Sequence, residues 1–444
     1  MSSPAPLTTE QLYDYYLAHP QVTTDSRKVP PLGLFIALKG DRFDGNQYAQ
    51  SALDKGASYA VVDDAVVAAE IGEKALLVTD GLLALQRLAN HHRRQLKMPI
   101  LALTGSNGKT TTKELIASVM AQRYRIHYTQ GNFNNHIGLP LTILAIGPDV
   151  EMAILEIGAN HQREIADLCR IAEPTHGLIT NIGEAHLEGF GGIEGVKIGK
   201  GELYDFLAAN KGIAFVNLDA EFLPEMAERV PRRINYVTAE TPSKEEPNME
   251  TKLLAITPNV KVAFLNEEGG LTEVESHLPG AHNFENIKAA VAVGKYFKVA
   301  SHDIAAGIRK YQPKNNRSQR ETYRGVDFFM DAYNANPSST SAALRAFVVA
   351  NEAPRAAILG DMLELGQESR AAHLRIAELA TSLTIEQLIL VGPQYQQLAD
   401  QVEARYFVNT AALKSWFWEQ DWTDYTILVK GSRGIKLEDL LSDD

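Results

Sequence analysis

The run from Leu101 to Thr111, LALTGSNGKTT, constrains this chain more than any other stretch. It reads as a buried strand, a glycine turn, a lysine and then hydroxyls that open a helix. Backbone N–H groups of such a turn, together with a helix N-terminus, form an anion hole for polyphosphate. Lys109 would neutralise phosphate as a point cation, and Thr110 or Thr111 could hold a magnesium ion. The usual G-x-x-x-x-G-K-[ST] spacing is not kept, because Leu103 stands where its first glycine would be. What remains is a tighter G-x-x-G-K-T-T. An apolar strand from Pro99 to Leu103 and an amphipathic helix carrying Leu115, Ile116, Val119 and Met120 flank it, so the chain is expected to bind ATP.

A length of 444 residues allows about three domains of ordinary size. The net charge of −12, with no lysine- or arginine-rich run, argues against a nucleic-acid or anionic-membrane partner. Anionic ligands must then be captured by local sites such as the glycine loop. The one cysteine, Cys169, cannot form an intrachain disulfide, and its apolar helical neighbours Ile165, Leu168 and Ile171 make it a core residue. The N-terminus has neither the basic region nor the apolar core of a signal peptide. No apolar run approaches the roughly 18 residues that span a bilayer. A cytoplasmic protein is expected. A monomer is expected too, since nothing suggests a large exposed apolar face.

The pattern is α/β in three domains. In residues 1–97, strands are expected at LFIALKG, SYAVVDD and ALLVTD, with a helix from Leu82 to Leu96 that ends in a basic turn before Pro99. Residues 98–312 contain the glycine loop and the buried runs MAILEIG and HGLITNIG, which imply a mostly parallel sheet. Between Glu240 and Gly270, the short alternating runs LLAIT and VKVAFL suggest an antiparallel excursion, and a helix opens near Asn283. Residues 313–444 restart a Rossmann-like alternation through VDFFMDA, RAAILGD, QLILVG and YTILVKG. Asp331, Asp361 and Lys430 fall at carboxyl ends of strands, where such sheets bind ligands.

Several polar residues gather around this frame. Glu156 closes the apolar run MAILE, on the strand position beside a phosphate loop where a magnesium contact belongs. His186 lies among glycines in NIGEAHLEGFGG, and Lys200 lies in GVKIGKGELYD. Asn132, Asn134 and Asn135, in TQGNFNNHIGLP, offer amides that could orient a polar substrate beside the γ-phosphate. DAYNANP, from Asp331 to Pro337, leaves a strand end for a helix; turn chemistry explains its asparagines and proline but does not demand Asp331 or Tyr333.

Together these pieces resemble the Mur ligase family of peptidoglycan-precursor enzymes, over nearly the whole chain. The tight loop, Glu156 in LEIG, NIGEAHLEGFG and the HNxxN of His282 to Asn286 resemble the family's central domain. YNANPSS and LGDMLELG are similar to the member that adds D-alanyl-D-alanine. TDSRKVPPLGLFIALKGDRFDGNQYA resembles the uridine-nucleotide-binding domain. The Asp-Asn-Pro-Arg signature of the member that adds the preceding diamino acid is absent.

The resemblance implies roles. Gly105, Ser106, Asn107, Gly108, Lys109, Thr110 and Thr111 would bind the ATP phosphates, with Thr110 on the first magnesium ion. Glu156 and His186 would hold magnesium, and Lys200 would be carbamylated, turning a cation beside metal ions into an anion. Asn283 would meet the adenine, and Arg317 with Asp331 would reach the nucleotide from the third domain. Ser26 and Arg27 would contact the uridine-nucleotide substrate; Asn134, Asn135, Tyr333, Asn334 and Asn336 complete the substrate set. Two positions depart from the family pattern: Arg317 sits in KNNRSQ rather than after glycine, and Gly199 stands where alanine is usual.

The implied reaction is ATP- and Mg2+-dependent amide formation. The carboxylate of UDP-N-acetylmuramoyl-tripeptide takes the γ-phosphate to give an acyl phosphate, and the amine of D-alanyl-D-alanine displaces phosphate. Three alternatives differ visibly. A folate polyglutamylating ligase would lack the N-terminal uridine-nucleotide domain and the YNANP string. A nucleotide-gated switch would not need the third β–α domain. A binding protein that had lost catalysis would have shed one of Lys109, Glu156, His186 or Lys200.

Overall fold

The computed structural model describes residues 5–242, 248–314 and 316–442. Three sheets organise them. The first is a four-stranded parallel sheet in the order Val22–Thr23, Leu34–Ile36, Tyr59–Val62, Ala75–Leu77. The helix Gly81–Gln95, started by the Asp80 carboxylate accepting from Leu83 N (2.7 Å), leads from it towards the second sheet.

The second sheet has nine strands, and Ile100–Thr104 lies inside it, parallel to His176–Ile179 on one side and to Met152–Glu156 on the other. Each residue of these three strands is buried. Because successive side chains on a strand face opposite ways, Leu101, Leu103, Met152 and Ile154 enter one core with the loop helix Lys109–Met120 and the helix Ala281–Tyr296. Ile100, Ala102, Ala153 and Leu155 enter another. That second core continues without a break into the N-terminal sheet through Leu12, Leu34, Ile36, Val61, Leu85 and Leu88.

The segment expected as an antiparallel excursion is one in part. Lys261–Leu265 pairs antiparallel with Met249–Ala255 and with Leu271–Glu275. Met249–Ala255 is also parallel to Arg233–Thr238, so the excursion extends the main sheet rather than leaving it. Residues 243–247 of that stretch lie outside the described residues.

The third sheet runs Gln319–Tyr323, Val326–Asp331, Thr426–Lys430, Arg355–Gly360, Gln387–Val391, Arg405–Phe407, with only the first strand antiparallel. Its two faces carry separate cores, around Phe329, Leu359 and Leu390 on one side and Phe328, Ile358 and Val429 on the other. Asp331 and Lys430 end their strands and Asp361 follows one, as expected. Cys169 is fully buried in the helix Glu164–Ala172. No helix among the described residues is long and apolar enough to cross a membrane.

Candidate active site

The phosphate loop leaves the carboxyl end of Ile100–Thr104, where both neighbouring strands also end. Gly105 (φ +145°) and Gly108 (φ +76°) hold backbone conformations that side chains resist. A Cβ at Gly105 would lie 2.0 Å from Thr180 Oγ1, and one at Gly108 2.5 Å from Asn286 Oδ1. Neighbouring loops brace the turn: Asn107 N donates to Asn181 Oδ1 (2.9 Å), Thr180 Oγ1 to Asn107 O (2.6 Å) and Ser106 Oγ to Gly183 O (3.0 Å).

Lys109 Nζ folds back onto the carbonyls of Gly105 (2.6 Å) and Ser106 (3.1 Å). Desolvation pushes its pKa down to about 8; Glu156 opposes that shift and Arg317 adds to it. Thr110 Oγ1 donates to Glu156 Oε2 (2.9 Å), and Asn134 Nδ2 donates to Glu156 Oε1 (2.8 Å). The parallel register places Glu156 beside Leu103, which explains how a strand end reaches the loop. Thr111 faces the Tyr311 hydroxyl instead.

A hard oxygen pair, the Thr110 hydroxyl and the 2% exposed Glu156 carboxylate, fits magnesium, which takes few protein ligands and fills its shell with phosphate and water. No group of three or more His, Cys, Asp or Glu residues poised for a metal occurs among the described residues. His186, expected beside Glu156, instead pairs through Nδ1 with Glu364 of the third sheet's domain. Its left-handed backbone (φ +54°) at the start of Leu187–Phe190 turns it towards that domain.

Lys200 is fully buried. Its Nζ donates to Ala159 O (3.1 Å) and sits 4.9 Å from the Phe190 ring centroid. Burial and then the charge of Lys109 hold its pKa well below the usual lysine range. Gly199 has a packing reason to differ from alanine: an added Cβ would stand 2.4 Å from Phe190 Cε1, the ring that covers Lys200.

The third domain reaches the loop directly. Asn336 Nδ2 donates to Asn107 Oδ1 (2.7 Å), and Asn107 Nδ2 donates to Ser338 Oγ (2.9 Å). Asn336 also caps the helix Pro337–Ala350, accepting from Ser339 N (2.9 Å). Asp331 is tied to Lys430 Nζ (2.6 Å), and Asn334 supplies a carbonyl to the same ammonium (3.2 Å). Arg317 lies over the Tyr333 ring at 3.7 Å, and Arg433 lies 5.4 Å from the same ring. Arg433 escaped the sequence reading, because its neighbours carry no pattern that marks it.

A cleft of about 1200 Å³ opens beside these groups, where the three sheets' domains meet. Leu82, Arg87 and His91 line it from the N-terminal helix, Asn134, Asn135 and His186 from the centre, and Tyr333 and Glu364 from the third domain. Some expected contacts fall elsewhere. Ser26 and Arg27 do not line the cleft; Arg27 forks onto Asp25 (2.9 Å twice) in an exposed turn, and Ser26 O accepts from Lys55 Nζ (2.7 Å). Asn283 is 2% exposed, donating to Pro279 O (2.8 Å) and accepting from Asn286 Nδ2 (2.9 Å), so it holds the loop's neighbour. Asn135 accepts from Gly138 N (2.9 Å) at the start of the helix Gly138–Leu144. Asp361 accepts from Gln394 N (2.9 Å) and Tyr395 N (3.0 Å), which makes it a structural cap.

Fold and site together define an ATP-using α/β enzyme built around a phosphate loop. Residues 20–93 match the Mur ligase family catalytic domain, 103–294 the Mur ligase middle domain and 316–433 the Mur ligase glutamate ligase domain. The chain is 36% identical to the UDP-N-acetylmuramoyl-tripeptide--D-alanyl-D-alanine ligase of Escherichia coli (strain K12), covering 95% of this chain and 92% of that one. It is 32% identical to the ligase of the same name from Bacillus subtilis (strain 168), over 96% and 95%. The crystal structure of MurF from Acinetobacter baumannii superposes with a TM-score of 0.85 at 28% identity, covering 99% of both chains. The chain belongs to the Mur ligase family.

Proposed function

We propose that this chain joins D-alanyl-D-alanine to UDP-N-acetylmuramoyl-tripeptide at the expense of ATP, the reaction named for its E. coli and B. subtilis relatives. The carrying observation is the three-domain cleft that opens against Asn134, itself bonded to Glu156 beside the loop. An amide ligase must bring an acyl donor, a phosphoryl donor and an amine to one place, and such a junction suits that need.

In this reading residues 1–97 bind the uridine nucleotide, 98–312 bind ATP and 313–444 present the dipeptide. Loop amides of Gly105 to Thr111 and the Lys109 ammonium hold the β- and γ-phosphates and neutralise charge as the tripeptide carboxylate attacks. Thr110 and Glu156 would hold magnesium, which would supply further charge neutralisation at the transferring group. Asn134 fixes the Glu156 carboxylate. Lys200, whose burial disfavours the ammonium, adds carbon dioxide and releases a proton to become a carbamate anion. Arg317 reaches the nucleotide while stacked on Tyr333. The Asn107–Asn336–Ser338 contacts hold the third domain over the loop, which keeps water from the acyl phosphate. The protein acts as a cytoplasmic monomer.

Phosphate release from ATP with Mg2+, measured while each acceptor is omitted in turn, tests this. Release that requires both the UDP-muramoyl tripeptide and D-alanyl-D-alanine is expected. Release with neither would make the chain a switch, and release with folate and glutamate would overturn the substrate assignment.

A further inference from the structure

One turn beyond Lys109 on the loop helix stands Lys113, fully buried and absent from the sequence reading of the site. A buried ammonium must be paired, or burial would be prohibitive. Its Nζ donates to Thr129 O (2.6 Å), meets Glu114 Oε1 at 3.0 Å and lies 3.9 Å from Glu156 Oε2. Thr129 in turn accepts the Glu156 backbone N–H through its hydroxyl (3.0 Å). Lys113 therefore touches Glu156 twice, once by charge and once through Thr129. It contacts the loop helix, the start of the asparagine loop and the metal-side carboxylate together. Its hydrogen bond and ion pairs go to Thr129, Glu114 and Glu156, whereas Lys109 Nζ bonds the loop carbonyls of Gly105 and Ser106.

We infer that Lys113 is a positioning residue that offsets the charge of Glu156. It keeps the divalent-cation site weak until nucleotide phosphates arrive. A cation within a few ångström of a metal-binding carboxylate repels the incoming ion while holding the carboxylate in place. The metal then enters and leaves with the nucleotide, and the bare enzyme does not trap it. Glu114, partly exposed, shares the ammonium and so sets how much of its charge reaches Glu156. The inference rests on the reading of Glu156 as the metal carboxylate.

Binding of Mn2+ to the full chain without nucleotide, followed by the loss of the free-ion electron paramagnetic resonance signal, tests it. Lys113→Met is expected to bind Mn2+ about fivefold more tightly, since it removes a like charge beside the ion. Glu114→Gln is expected to bind it about twofold to threefold more weakly, since Lys113 then faces Glu156 alone. A merely structural lysine would not move the two variants in opposite directions. If Lys113→Met fails to fold, the sign of the Glu114→Gln shift decides. Unchanged affinity, or a shift opposite to these signs in a folded variant, overturns the inference. Glu156→Gln separates the two failures: if it leaves Mn2+ binding intact, the metal assignment itself is wrong.

Discussion

The phosphate loop and the three-domain cleft lie side by side and are assembled in opposite ways. The loop is one contiguous segment, braced by Thr180, Asn181 and Gly183 from the adjacent strand end, all within a single sheet's domain. The cleft has no segment of its own. Its walls come from a helix near residue 90, a loop near 134, a turn at His186 and strand ends of the third sheet. The third domain meets the central one through Asn107 with Asn336 and Ser338, His186 with Glu364 and Arg375 with Glu184 (3.0 Å), with Leu187 packed against its core, whereas the first and central domains share a continuous apolar core. The mainly polar contacts of the third domain suit a surface that must separate to admit substrates, whereas the loop must be rigid before any arrive.

If the two regions divide the work this way, damage to the loop should abolish phosphoryl transfer, and damage to the cleft should alter acceptor use. Lys109→Met is expected to lower kcat/KM by about a thousandfold, the scale of losing a principal charge on the transition state; steady-state phosphate release measures it. Lys200→Ala is expected to lose about a hundredfold, with partial return on adding short carboxylic acids that replace the carbamate. No rescue by any acid would separate Lys200 from the anion role.

Next in size is a pH effect on ATP. In the free loop the Lys109 pKa is depressed to about 8, and bound phosphates favour the ammonium. ATP affinity is therefore full below pH 8 and falls as pH rises through it, with KM for ATP climbing towards about tenfold per pH unit. A flat profile from pH 7 to 9 would show that the lysine is not the titrating group.

Asn336→Ser keeps a good helix cap but cannot reach Asn107. Stability should stay within about 0.5 kcal/mol, while KM for the dipeptide rises about fivefold with little change in KM for ATP. Equal changes in both would blur the distinction between loop and cleft. Arg375→Ala removes a half-exposed interdomain ion pair and is expected to change kcat/KM by less than about twofold.

The same contrast explains what could be read from the residues in advance. The loop was legible because strand, turn and helix signals are adjacent, and Glu156 was legible because a buried strand ending in a carboxylate is a local pattern. The strands at Val326–Asp331, Arg355–Gly360, Gln387–Val391 and Thr426–Lys430 were legible for the same reason. His186 was assigned to the metal by resemblance, but its pairing with Glu364 depends on how the third domain sits, which no neighbouring residue records. Asn135 was singled out for its residue type and Asn283 by the resemblance, yet an asparagine that caps a helix or bridges a loop has the same local sequence as one that meets a ligand. Lys113 was missed because a lysine on a helix ordinarily signals solvent. Only the depth of Thr129 and Glu156 around it reveals the burial.

The core that runs from Leu12 and Leu34 into Ile100 and Leu155 has a thermodynamic consequence. A four-stranded sheet of such short strands buries too little on its own to be stable, and here it draws on the central sheet for one of its faces. The first two domains are therefore expected to unfold as one cooperative unit and the third, with a core on each face of its own sheet, as a second. Melting is expected to show two transitions in a chain that matches three family domains.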